Sequence, residues 1–121
     1  MKKMPTHCRD ETCPSCVVAG DFIYLAHHSG GFSKNDIKHQ MRATFESAKS
    51  TLESVGATLN DMAQIHLYLK NLDDFSSARE VFNEYFDKGC FPARMSSQTK
   101  FLDSECLCMI DGVAYKPNCS K

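Results

Sequence analysis

Apolar positions recur along this chain with two different periods. Between residues 37 and 55, Ile37, Met41, Phe45, Ala48, Leu52 and Val55 are spaced by fours and threes, which gathers them on one face of a helix. Lys38, Arg42, Glu46, Lys49 and Glu53 fall on the opposite, solvated face. Ser33 or Asn35 can cap the start of this helix and Gly56 can end it. A second helix is predicted from Phe75, introduced by Asp73 and Asp74 and stopped at Gly89, with Ala78, Val81, Phe82, Tyr85 and Phe86 turned inward. Elsewhere the period is two. Ile65, Leu67 and Leu69 alternate with Gln64, His66, Tyr68 and Lys70, a strand with two unlike faces. Cys16-Val17-Val18-Ala19 and Phe22-Ile23-Tyr24-Leu25-Ala26 flank the turn pair Gly20-Asp21 and predict a hairpin, with His27-His28-Ser29-Gly30-Gly31 as the loop after it. Residues 93–101 and 106–115 read as two final strands linked across 102–105.

The resulting order is β-β-α-β-α-β-β, an α/β (α+β) domain in which two helices cover one face of a sheet. Residues 1–15 form an N-terminal segment and 117–121 a tail expected to fray. The last strand is apolar on both faces: Cys106, Cys108, Ile110 and Ala114 on one, Leu107, Met109 and Val113 on the other. With no further element left to cover the second face, self-association is expected.

Composition narrows the class without naming a function. At 121 residues the chain is long enough for one core and too short for two. A hydrophobic content of 42% with 24% charged residues is that of a globular protein. The net charge of −1 gives no electrostatic case for nucleic acid or an anionic membrane as partner. Charges and prolines interrupt every apolar run before membrane-span length, and no apolar stretch follows the basic start, so a cytoplasmic protein is expected.

Seven cysteines, an odd number, point to reduced thiols rather than a disulfide framework. Cys13-Pro14-Ser15-Cys16 is a CxxC, but it leads into a strand-like run rather than a helix whose dipole would lower a thiol pKa. His7 and Cys8 are near, yet no second ligand pair completes a zinc site, so no metal is expected. The adjacent His27 and His28 point to different sides and make no chelating pair by themselves. In Phe91-Pro92-Ala93-Arg94-Met95-Ser96, Arg94 opens a strand, where its fork of donors could clamp a carboxylate or simply meet solvent. Asp111 interrupts the apolar run 107–115; it is either a partly desolvated carboxylate or an edge residue in water. If the last two strands pair as an antiparallel hairpin, Arg94 and Asp111 come near the same end of the sheet. An anion clamp beside a water-orienting carboxylate suits hydrolysis of a small carboxylate-bearing substrate.

These residues carry a family likeness. Gly20-Asp21-x-Ile23-Tyr24, Gln40 through Leu52-Glu53-x-x-Gly56, Tyr68-Leu69-Lys70-Asn71-Leu72-x-Asp74-Phe75, Tyr85-Phe86, Phe91-Pro92-Ala93-Arg94 and Met109-Ile110-Asp111-Gly112-Val113-Ala114 occur in the order and spacing of the RidA (YjgF) family, also called endoribonuclease L-PSP. The chain resembles that family over residues 20–115. The resemblance implies a chorismate-mutase-like fold and a homotrimer with clefts between subunits. It implies hydrolytic deamination of enamines or imines such as 2-aminoacrylate to 2-oxo acids and ammonia, with no cofactor. It places the substrate-carboxylate arginine at Arg94, the water-positioning acid at Asp111, and substrate contacts at Ala93, Ala26, His27, His28 and Ser96. The chain departs from the family's pattern at Cys13 for a tyrosine, Ala26 for a serine, His27-His28 for Gly-Gln, Ser96 for a cysteine, and Asp111 for what is often glutamate. The rival readings are a non-catalytic binder of small carboxylic or 2-oxo acids, RNA cleavage, and a thiol-based role.

Overall fold

The period-two segments become strands of one sheet, and the two helical stripes lie together against one side of it. The computed structural model describes residues 1–117. Its elements are β1 (Lys2–Lys3), β2 (Cys16–Ala19), β3 (Phe22–His28), α1 (Ile37–Glu53), β4 (Met62–Leu69), α2 (Phe75–Tyr85), β5 (Ala93–Gln98) and β6 (Cys108–Tyr115). The strand order is β1-β2-β3-β6-β4-β5, with every pair antiparallel except β4 and β5. Against the expected order, β1 is an addition, supplied by the N-terminal segment.

The helical pattern translates directly into burial. Met41, Phe45, Ala48 and Leu52 of α1 and Ala78, Val81 and Phe82 of α2 are buried, and they meet Ile23, Leu25, Ile65, Leu67, Leu69 and Ile110 of the sheet. Phe45 is the hub: the rings of Phe82, Tyr85 and Phe86 lie 5.0, 5.0 and 5.6 Å from it. The cap of α1 is Asp36, whose carboxylate accepts from the Lys38 N–H at 3.3 Å, rather than Ser33 or Asn35. A short 3₁₀ turn, Leu72–Asp74, leads into α2.

Two expectations fail here. The first concerns His27 and His28, which belong to β3 rather than to a loop. The second concerns the last two strands, which do not form a hairpin. β6 lies between β3 and β4, and β5 pairs in parallel with the outer side of β4. The reason is polarity: β6 is the more apolar strand and occupies a central slot, where both its edges are hydrogen-bonded. Strand β5, with Ser96, Ser97 and Gln98, occupies the edge. Cys106 and Leu107 are buried but precede β6 instead of belonging to it.

The second face of the sheet carries no helix. Phe22, Tyr24, Tyr115 and Met95 on it are 43%, 49%, 47% and 59% exposed. Among the described residues no helix is long and apolar enough to cross a membrane; the tail residues 118–121, Cys119 included, lie outside those described.

Candidate active site

In β4 the buried Ile65, Leu67 and Leu69 face the helices, so His66 and Tyr68 project from the open face. The β4–β6 register sets His66 opposite Asp111, which therefore shares that face. The Tyr68 hydroxyl donates to Asp111 Oδ2 at 2.8 Å. Desolvation, then the bond to Asp111, pushes the Tyr68 phenol up to about 12, so near neutral pH it keeps its proton and remains a donor. One carboxylate oxygen is thereby fixed. The His66 ring stacks on Tyr68, 4.0 Å away and only 3° from parallel, and its Nε2 lies 2.8 Å from Ser97 Oγ.

Asp111 is half-buried and lines a groove of about 430 Å³, whose other walls include His27, Phe32, Phe101, Leu102 and Met109. On its other side Asp111 borders a smaller hollow of about 230 Å³ with Tyr24, Gln64, His66 and Met95. One wall of the groove is the connection 99–107, held from beneath by a buried amide. Gln40 donates to the Lys34 and Glu105 carbonyls, both at 3.0 Å, and accepts from the Leu107 N–H at 2.8 Å. Because Gln40 is fully buried, these bonds leave none of its amide's heavy atoms unpartnered.

Arg94 is elsewhere. It pairs with Ile65 and so faces the helices, where its guanidinium lies 5.2 Å from the Phe75 ring and 5.2 Å from the Phe82 ring, a cation–π seat. The hairpin that would have brought Arg94 to Asp111 is absent, β4 separates their strands, and within one chain they occupy opposite faces. Ser96, paired with Leu67, shares the Arg94 face, and Ala93 opens β5 opposite Gln64. Of the expected contacts only His27 lines the groove with Asp111.

Ala26 and His28 serve the fold. His28 is fully buried, with Nδ1 2.8 Å from the Ala26 carbonyl and Nε2 2.8 Å from Thr51 Oγ1. A carbonyl can only accept, so Nδ1 carries the proton and Nε2 accepts from Thr51. Burial pushes His28 down to about 4, and no ring nitrogen remains for a ligand. The residues that sequence reasoning missed are Tyr68, Ser97 and Gln40. Tyr68 was visible as the polar phase of β4, but its partner became known only once β6 was placed beside it.

The cysteines offer no metal centre: among the described residues no three of His, Cys, Asp and Glu gather as ligands. Cys16, Cys106 and Cys108 are buried, and burial pushes Cys108 up to about 12, an unreactive thiol.

A profile of the family described as endoribonuclease L-PSP matches residues 14–116. A RutC family protein of Pyrococcus abyssi is 36% identical over 106 residues, covering 83% of each chain. The chain belongs to this family, that of RidA and YjgF. A solved YjgF-family structure from Streptococcus pyogenes superposes with a TM-score of 0.83 at 29% identity, covering 98% of this chain and 100% of that one. A 2-iminobutanoate/2-iminopropanoate deaminase of Dermatophagoides farinae is 26% identical over 84 residues, covering 64% of this chain and 65% of its own. The RidA/YjgF assignment thus agrees with the motifs, and the single sheet with two helices agrees with the fold.

Proposed function

We propose that this RidA-family chain is a hydrolytic deaminase of reactive enamine or imine acids of the 2-aminoacrylate type, working as a homotrimer with its sites at the subunit seams. The observation that carries the reading is Asp111, a carboxylate with one oxygen engaged by Tyr68 and set in a largely apolar groove on the uncovered face of the sheet. The deaminase name of the D. farinae relative supports it. In the reaction the enamine tautomerises to the imine and water adds to the imine carbon. The carbinolamine then expels ammonia to leave the 2-oxo acid. The second oxygen of Asp111 accepts the proton of the attacking water, and backbone near Arg94 binds the amino group. Arg94, on an exposed edge strand, holds the substrate carboxylate. Because it faces away from Asp111 within one chain, the pair is completed by Arg94 of one copy and Asp111 of another.

The test generates 2-aminoacrylate with a dehydratase and follows 2-oxo acid appearance. Asp111→Ala is expected to lower the rate by about 10²–10⁴-fold, the usual worth of a general base, and Arg94→Ala to weaken substrate capture. Mixed oligomers of the two variants should regain part of the activity, since some seams then hold one intact copy of each group. A second reading, a non-catalytic carboxylate binder, is favoured by the separation of Arg94 and Asp111. It predicts no rate acceleration by the wild type, with 2-oxo acid binding lost in Arg94→Ala alone.

A further inference from the structure

The fold divides the CxxC. Cys16 begins β2 and is 1% exposed in the core, whereas Cys13 lies ahead of the strand and is half-buried. The neighbour of Cys13 is Cys8. Residues 2–18 double back on themselves: Lys3 lies opposite Val17, the Met4 N–H donates to the Cys16 carbonyl at 3.0 Å, and the Ser15 N–H donates to the Pro5 carbonyl at 3.2 Å. Continued outward, this ladder brings residues 6–8 alongside 12–14. The tip is closed by the Cys13 N–H donating to the Asp10 carbonyl at 3.0 Å and the Thr12 N–H donating to Asp10 Oδ1 at 2.9 Å. Arg9 makes the reversal at φ 64°, a left-handed conformation uncommon for any residue but glycine. The turn sets the two thiols side by side; after burial, it is Cys8 that acts on Cys13, through charge and as a hydrogen-bonding neighbour.

We propose that Cys8 and Cys13 are a reversible disulfide-forming pair, a thiol modification site at the tip of the N-terminal hairpin. Cys8 is exposed and makes the first attack, and Cys13 resolves. The Cys8 thiolate attacks one sulfur of a small disulfide such as oxidised glutathione, whose S–S bond breaks and releases one glutathione thiolate. The Cys13 thiolate then attacks the Cys8 sulfur of the mixed disulfide and expels the second. Two protein thiols are oxidised to one cystine, and one oxidised glutathione is reduced to two thiols. The bond would close the loop around His7, whose ring stacks on His28 at 3.9 Å and whose Nε2 lies 2.6 Å from the carbonyl oxygen of His27. His27 lines the groove, so the site is one contact away from it.

The test equilibrates the full chain in buffers of reduced and oxidised glutathione, traps free thiols with N-ethylmaleimide and digests with trypsin. Trypsin cuts after Arg9, so the bond joins peptide 4–9 to peptide 10–34. The expected result is that linked pair at oxidising ratios, with the mass of two hydrogens lost from the intact chain. It should disappear in Cys8→Ser and in Cys13→Ala, and persist in Cys16→Ala. Each of three results would overturn the proposal: Cys8 held as a lasting glutathione adduct, a link that fails in Cys16→Ala, or both thiols alkylated at every ratio. Far-UV circular dichroism of the variants checks that they fold, and Cys8→Ser, on an exposed turn, is the variant least able to disturb the core.

Discussion

Thr51 and the Ala26 carbonyl hold both nitrogens of His28 in a site from which water is shut out. Protonation would turn Nε2 into a second donor facing a hydroxyl that already donates, and would place a charge in the core. The folded value of about 4 lies below the ordinary 6.5. Neutral His28 therefore stabilises the fold fully above about pH 6.5, and that contribution falls away as the pH drops toward 4, by an amount on the order of 3 kcal/mol. Urea midpoints measured across this window should decline steeply for the wild type and much less for His28→Gln. Equal slopes would mean that another group governs the acid limb. Glu80 and Glu84, held below the usual carboxylate range first by bonds to Lys38 and Arg42, act at lower pH than this window.

At the level of elements, the candidate site depends on how closely β6 approaches β4. Gly112 sits where their register shifts, and a methyl group built on it would land on the Gln64 carbonyl oxygen and lie 2.8 Å from Met62 Cε. Backbone cannot yield as a flexible side chain can. Gly112→Ala is expected to destabilise the chain by about 2–4 kcal/mol, in the range of core overpacking, and to disturb the Tyr68–Asp111 bond next to it. Thermal unfolding reads the first effect. The titration of Tyr68, followed by its ultraviolet absorbance, reads the second as a phenol shifted down from about 12. An unchanged melting temperature would show that the two strands can separate at this point without cost.

For the whole molecule, the decisive feature is a sheet covered on one side only. Phe22, Tyr24, Met95 and Tyr115 together expose an apolar surface that water disfavours, and burying it against other copies is the remedy the chain itself provides. Native mass spectrometry at micromolar concentration should find an oligomer, and Tyr24→Lys should shift it toward monomer with its circular dichroism spectrum retained. A wild type that stays monomeric would remove the seam on which the proposed function depends, leaving Arg94 and Asp111 on opposite faces with nothing to unite them.

The helices and their buried faces were legible because periodicity is a local property. The spacing of Met41, Phe45, Ala48 and Leu52 decides which side of α1 is dry whatever packs against it. The alternation in residues 64–70 likewise settled which phase of β4 faces outward. Family membership was legible too, since it rests on motifs such as Pro92-Ala93-Arg94 read in order. Strand adjacency was not. Whether β6 pairs with β5 or slides between β3 and β4 depends on competition for a central, fully hydrogen-bonded slot, and that competition involves segments some forty residues and more apart. Tertiary structure alone therefore decided that Asp111 meets Tyr68, that Arg94 rests on Phe75 and Phe82, and that His28 is sealed in the core.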